Sequence, residues 1–341
     1  MNLPTTMNVP TTRRWVLGVD GGGTKTVAQI ATFAGDSAPS TASLNLRVYA
    51  TGTSGPSNPN RVGWDVALEN LQDAITQALA QVATRSISAA DIQASCIAVS
   101  GVGTEADRNQ LRQWVQQFDW GQQSIVTDDG RVILQAITSG QVPYAVALIS
   151  GTGTLAIGSN ANGRVCRSGG WGEQWGDEGS GQWLATAALR QVTRWMDRRA
   201  DGDEFSAAIL DHLQLTDDDS FRLWLRRVQP ESPVLRELAP LVQRLADAGN
   251  PTAIALRNQA VMALVELVTS VLNQLEYDAR HEAEPIQLAL TGGWLTSDEQ
   301  LSNQLLAQLS DSVGSLFEVH EFKEPVDCAI QCALRVAIER A

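Results

Sequence analysis

Asp20-Gly21-Gly22-Gly23-Thr24-Lys25-Thr26 decides the fold reading, because it sets a carboxylate, three glycines and two hydroxyls between two segments that both read as β-strand. Trp15-Val16-Leu17-Gly18-Val19 ahead of it is a short apolar run suited to a buried strand, and Lys25 to Phe33 behind it keeps β-branched residues without a helical stripe. The stretch therefore reads as a hairpin able to cradle phosphate. Glycines let the backbone turn tightly and approach an anion, while free N–H groups and the Thr24 hydroxyl donate to its oxygens. Gly22, Gly23, Thr24, Lys25 and Thr26 are the candidate phosphate contacts, and Asp20 at the strand end is the candidate ligand of a Mg²⁺ escorting that phosphate. A P-loop is excluded, since Thr24 displaces the glycine before Lys25-Thr26 and no helix follows. A dinucleotide fingerprint is excluded too, because its third glycine position holds Thr26.

Outward from the hairpin, 341 residues leave room for two domains that each bury a core. Hydrophobic residues at 43% and charged residues at 18% mark a folded globular chain. A net charge of −13 argues against nucleic acid or an anionic membrane as the main partner. Met1 to Thr12 is a polar Pro/Thr/Asn stretch without the apolar centre of a signal peptide, so residues 1–12 are expected to be a disordered tail and the protein cytoplasmic. Cys96 and Cys166 stand alone, Cys328 and Cys332 lie four apart in an expected helix, and His212, His281 and His320 are scattered. Neither a disulfide framework nor a structural metal site is expected from that spacing.

From Val9 to about Thr127 the order reads strand, hairpin, strand, loop, helix, strand, helix, strand, ending in Ser124-Ile125-Val126 and Thr127-Asp128-Asp129-Gly130. The second half repeats that grammar. A helix over Arg131 to Thr138 precedes the buried strand Tyr144 to Ile149, then Ser150-Gly151-Thr152-Gly153-Thr154, then another strand. Gly151, Thr152, Gly153 and Thr154 read as a second phosphate hairpin. Gly169 to Gly181 is a glycine-rich run with two tryptophans, Phe205 to Tyr277 is mainly helical, a last strand spans Ile286 to Leu290, and a final helix covers roughly Asp327 to Arg340.

Taken in order, these motifs resemble the N-acetylglucosamine kinase and BadF/BadG/BcrA/BcrD-type ATPase family, within the superfamily of sugar kinases, actin and heat-shock ATPases. Val19 to Thr26 resembles its first phosphate motif, Leu148 to Thr154 its second, and Leu290-Thr291-Gly292-Gly293 its adenosine motif. Gly169-Gly170-Trp171-Gly172 with Gly176-Asp177-Glu178-Gly179-Ser180 resembles the N-acetylglucosamine kinase signature. Ser168 and Val102 depart from the animal enzymes, which carry cysteine and glycine there. The resemblance implies an α/β, two-domain, actin-like (ribonuclease H-like) ATPase fold, each domain a βββαβα core with ATP in the interdomain cleft. The domains are expected at residues 13–127 and 128–341, the second carrying a helical insertion over about 182–280 and a last helix that packs back on the first.

The activity implied is ATP-dependent phosphorylation of an amino sugar, foremost N-acetylglucosamine at its 6-hydroxyl, by a cytoplasmic homodimer using Mg²⁺. Asp128 resembles the catalytic base, with Asp129 offering the same chemistry next to it; strand alternation points the two apart. The resemblance assigns sugar contacts to Asn58, Ser100, Asp128, Gly170, Trp171 and Asp177, and adenosine contacts to Gly292 and Gly293. Asp177 also stands where a helix cap would. The rival readings are a kinase of glucosamine or N-acetylmuramic acid, a BadF-type activator with an iron–sulfur cluster at its dimer interface, and a sugar sensor without turnover.

Overall fold

The computed structural model describes residues 14–33, 46–138, 142–201, 203–229, 232–280, 284–297 and 299–339, so the expected tail at 1–12 lies outside the described residues. The chain divides into two compact units, Met1–Ser139 with Glu324–Ala341, and Gly140–Lys323. The division falls after the helix that follows Asp128, not at 127/128.

Unit 1 begins with β1 (Arg14–Gly21) and β2 (Thr26–Phe33), an antiparallel pair whose side chains are buried on both faces except at a few positions. β3 (Arg47–Ser54) pairs antiparallel to β2 at the sheet edge. α1 (Pro59–Val62) and α2 (Trp64–Ala83) lead to β4 (Ile92–Val99), α3 (Glu105–Val115), β5 (Ser124–Asp128) and α4 (Asp129–Ile137). β4 and β5 run parallel to β1, giving the order β3-β2-β1-β4-β5. α2 is helical because Ala67, Leu71, Ala74, Ile75, Ala78 and Val82 recur at the helical period and bury one face. Removing Leu71, which is fully buried in that core, should cost about 2–5 kcal/mol.

Unit 2 opens with β6 (Tyr144–Ser150), β7 (Thr154–Asn160) and β8 (Val165–Gly169), an antiparallel meander. α5 (Gly181–Met196), α6 (Asp203–His212), α7 (Asp218–Leu225), α8 (Pro233–Asp247) and α9 (Pro251–Gln274) follow, then β9 (Ile286–Thr291), α10 (Glu299–Val313) and β10 (Phe317–Phe322). β9 and β10 run parallel to β6, giving the order β10-β9-β6-β7-β8. This is the topology of unit 1 built a second time. α9 has the length and apolarity of a membrane-spanning helix, and its apolar residues are used inside unit 2, where Leu256, Val261, Leu264, Val265, Val268, Val271 and Leu272 are buried. The chain returns to unit 1 through α11 (Val326–Glu339), which packs on β1, β4 and α4. That packing holds α4 in unit 1, with Val132, Ile133, Leu134 and Ile137 buried.

Three strands differ from the residue-by-residue reading. The expected loop between β2 and the first helix contains β3, and β8 and β10 carry no expected strand at all. All three are edge strands whose side chains are largely exposed, so no buried apolar run marks them. β3 announces itself only through Gly52: a Cβ there would lie 1.9 Å from the carbonyl oxygen of Ala74, so α2 lies directly on the strand backbone.

Candidate active site

In unit 1 the first hairpin closes on the Gly21–Thr26 pair, and the Gly22 amide donates to Lys25 O at 2.9 Å across the turn. Thr24 and Lys25 are exposed, Gly22 and Gly23 half-buried. Three neighbours support the turn from beneath: Ser57 N donates to Gly22 O at 3.0 Å, Ser100 N to Gly21 O at 2.8 Å, and Arg61 Nη1 to Gly23 O at 3.3 Å. Thr26 is buried below the turn, its hydroxyl donating to Gly55 O at 2.7 Å and bonded to Ser57 Oγ. Its side chain therefore holds the Gly55–Asn58 loop, while Thr24 stands exposed at the tip of the turn.

That loop delivers Asn58, whose Oδ1 accepts from Asn60 N at 3.0 Å while Nδ2 donates to Ser100 Oγ at 3.3 Å. Ser100 lies near enough to the Asp129 carboxylate to favour its ionised form, and Gly130 N donates to Asp129 Oδ1 at 2.9 Å. Asn58, Ser100 and Asp129 thus stand together, beside the strand end that carries Asp20. Asp129 is close enough to Asp20 for its charge to act: desolvation first, then the Asp129 charge, raises the Asp20 carboxyl to about 7. Asp129 is raised to about 6 by desolvation and then by the charge of Asp128, against the lowering effect of the Ser100 and Gly130 donors.

Asp128 occupies a different environment. It is buried, caps α4 by accepting from Arg131 N at 2.8 Å, and pairs with Arg108 Nη1 at 3.3 Å and Arg131 Nε at 3.1 Å. The Arg108 guanidinium also donates to Gly103 O at 2.8 Å and to Glu105 at 3.0 Å, tying the segment after Ser100 to Asp128. Arg108 is the residue that sequence reasoning missed. Its only trace is the Glu105–Arg108 spacing on α3, an ordinary surface pattern that says nothing of burial.

In unit 2 the second hairpin spans Ser150–Thr154, with the Gly151 amide donating to Gly153 O at 3.0 Å. Gly292, after β9, presses its backbone against the Ser150 carbonyl, leaving no room for a side chain, while Gly293 faces open space. The expected adenosine residues are thereby set against the second hairpin. Gly170 and Trp171 lie in the glycine-rich loop behind β8, where Trp171 and Trp175 are 68% and 78% exposed and are, with Leu316, the most open of the large apolar side chains among the described residues. Arg167 lies over the Trp171 ring at 5.6 Å. Asp177 does not cap α5; Ser180 does, accepting from Trp183 N at 3.0 Å. The Asp177 carboxylate instead accepts from Thr154 N at 2.9 Å.

Cys96, Cys328 and Cys332 are buried in unit 1, and burial pushes the Cys328 thiol well up.

A profile of the BadF/BadG/BcrA/BcrD ATPase family matches residues 17–327. The N-acetyl-D-glucosamine kinase of Dictyostelium discoideum is 30% identical over 305 residues, covering 87% of this chain and 90% of that protein. The N-acetylmuramic acid/N-acetylglucosamine kinase of Clostridium acetobutylicum is 25% identical over 292 residues, covering 85% and 89%. Among solved structures, a candidate N-acetylglucosamine kinase from Chromobacterium violaceum aligns with a TM-score of 0.64 at 24% identity, over 93% of this chain and 98% of that one. A second, from Porphyromonas gingivalis, aligns at 0.65 with 19% identity over 93% and 97%. These structures share the two-domain sugar-kinase fold, and the match over nearly the whole length shows that the chain belongs to the BadF/BadG/BcrA/BcrD ATPase family.

Proposed function

We propose that this protein is an ATP-dependent amino-sugar kinase whose preferred acceptor is the 6-hydroxyl of N-acetyl-D-glucosamine. The observation that carries the reading is the Asn58–Ser100–Asp129 set of unit 1, a hydrogen-bonding group of sugar-binding character beside a glycine hairpin suited to phosphate. The Dictyostelium relative supports the choice of sugar.

Phosphoryl transfer of this kind is mostly positioning and charge stabilisation. A general base must keep a free carboxylate oxygen near the acceptor and a proton affinity near working pH. The Asp128 expected by resemblance is engaged by two guanidiniums and a helix amide. Asp129 sits with Ser100 and Asn58 and is raised to about 6. The reading therefore places the proton acceptor at Asp129: its carboxylate takes the hydroxyl proton as the sugar oxygen bonds to the γ-phosphorus and the bond to ADP breaks. Asp128 becomes the support, fixing the start of α4 through its cap and its arginines.

Asp20 fits a divalent cation, because Mg²⁺ is usually held by one or two carboxylates plus phosphate oxygens and would relieve the like charge that Asp20 shares with Asp129. Bound there, Mg²⁺ would neutralise charge developing on the phosphates. The hairpin amides, Thr24 and Gly151 to Thr154 would orient the phosphates, and Gly292 and Gly293 the adenosine side. Asn58, Ser100, Gly170, Trp171 and Asp177 belong to the sugar side of this reading. Action in the cytoplasm as a homodimer rests on the family resemblance alone; light scattering on the purified chain tests the dimer.

The deciding experiment is a sugar panel read by ADP release. N-acetylglucosamine should give the highest kcat/KM among N-acetylglucosamine, glucosamine, N-acetylmannosamine, N-acetylmuramic acid and glucose. Glucosamine at least tenfold better would overturn the assignment, and N-acetylmuramic acid in that position would move it toward the chemistry named for the Clostridium relative.

A further inference from the structure

The glycine-rich loop of unit 2 and the second hairpin are fastened to each other along their length. Thr154 N donates to Asp177 Oδ1 at 2.9 Å, Thr154 Oγ1 to Glu178 O at 3.1 Å, Ser150 Oγ to Gly179 O at 3.0 Å, Gly170 N to Thr154 O at 2.9 Å, and Gly181 N to Gly151 O at 2.9 Å. Of these, only the Asp177 bond joins a charged side chain to the backbone amide at the end of the turn. Asp177 also lies flat on the hairpin: a Cβ on Gly153 would be 2.9 Å from each of its carboxylate oxygens. Its backbone is in the left-handed region at φ 62°, a conformation that costs a residue other than glycine free energy and persists where surrounding contacts demand it. The side chain is therefore aimed inward at Thr154 by a strained backbone.

We propose that Asp177 is a positioning residue for the second phosphate hairpin. Its carboxylate sets the Gly153–Thr154 end of the turn through a charge-assisted hydrogen bond, so the loop that reads a sugar and the hairpin that receives nucleotide phosphate move as one piece. Binding at either is felt at the other through this joint. The inference rests on the kinase reading and deepens it, since a residue that only touched sugar would leave nucleotide binding alone.

The test is calorimetric titration of the full chain with the non-hydrolysable analogue Mg–AMP-PNP in the absence of any sugar. Asp177→Gly removes the acceptor and suits the left-handed backbone, so it should keep its melting temperature and bind the analogue about tenfold more weakly, the order expected for one charge-assisted hydrogen bond. Asp177→Asn keeps an oxygen at the Thr154 amide and should bind within about threefold of wild type. Asp177→Gly within twofold of wild type overturns the inference and leaves the kinase reading standing. Asp177→Asn as weak as Asp177→Gly also overturns it, because an oxygen kept at the Thr154 amide would then restore nothing. Wild-type chain that binds no Mg–AMP-PNP overturns the kinase reading and this inference together.

Discussion

Units 1 and 2 use one topology, a β-meander extended by two parallel strands, and both turn the same hairpin into a glycine loop, yet they support it in opposite ways. In unit 1 the turn is open at its tip, with Thr24 and Lys25 exposed and its supports coming from two separate stretches of chain, Ser57 and Arg61 before and within α1 and Ser100 after β4. In unit 2 the turn is closed in by one continuous loop, bonded at Ser150, Gly151 and Thr154 and covered at Gly153 by Asp177. Carboxylates divide the same way. Unit 1 gathers Asp20, Asp128 and Asp129 at neighbouring strand ends, where the Asp128 charge raises Asp129 and the Asp129 charge raises Asp20, while the unit 2 carboxylate at the hairpin is spoken for by a backbone amide. A repeated fold fixes where a turn lies; the residues around it decide whether the turn does chemistry or provides alignment.

The largest effect that could break this contrast lies in unit 1. Asp129→Asn should lower kcat by about 10²- to 10⁴-fold, the usual range for a positioned base, with little change in Mg–AMP-PNP affinity. Asp128→Asn should retain far more turnover and lose melting temperature instead, because it weakens two ion pairs of a buried group. Steady-state kinetics beside thermal melts decide between them. The reverse pattern, Asp128→Asn dead and Asp129→Asn active, would return the base to Asp128 and shift the site by one residue.

Steric room separates the two hairpins next. Gly153→Ala drives a methyl group into the Asp177 carboxylate at 2.9 Å, whereas Gly23→Ala meets only the flexible end of Arg61 at 3.4 Å. Nucleotide affinity should fall roughly tenfold or more in the first variant and less than threefold in the second, given the cost of overpacking. Equal losses would show that the two turns are supported alike.

A smaller effect is expected from pH. The Asp20 and Asp129 carboxyls lie above their ordinary value of 3.8 in the folded chain, so the folded state binds protons more tightly there than the unfolded state. Their contribution to stability is whole below about pH 4 and is lost as pH rises through about 6 and 7. Melting temperature measured in chelator should therefore slope downward between pH 5 and 7 more steeply in wild type than in Asp20→Asn. Parallel slopes would mean that burial does not raise the Asp20 carboxyl in the folded chain. For activity the sign reverses: kcat/KM should rise with pH through about 6 as Asp129 loses its proton.

The smallest effect belongs to the Lys25–Glu324 pair at 3.4 Å, with side chains 60% and 55% exposed. Glu324→Gln should change stability by less than about 0.5 kcal/mol in a chemical denaturation curve, since exposed pairs are screened and entropically costly. A loss beyond 1 kcal/mol would show that the open tip of the first hairpin is held more firmly than its exposure implies.

Much of this was legible before any coordinates. Glycine-threonine turns between apolar strands, repeated at Asp20–Thr26 and Ser150–Thr154, can be read locally because a turn of this kind depends on its own backbone freedom and a buried strand on its own apolar run. The ordered motifs, with Gly292-Gly293 and the Gly169–Gly181 loop, carried the family as well. Edge strands β3 and β10 were not legible, because their pairing is paid to the neighbouring backbone and leaves no apolar signature in their side chains. Nor was the division of labour between Asp128 and Asp129. Two adjacent carboxylates are chemically identical in sequence, and only the tertiary structure sets one against Arg108 and Arg131 and the other against Ser100 and Asp20. The same holds for Asp177, whose place before a helix suggests a cap until the fold brings Thr154, 23 positions away along the chain, to its carboxylate. Local conformational preference is written in the residues themselves; proton affinity and side-chain engagement depend on neighbours distant in sequence, and those the fold alone supplies.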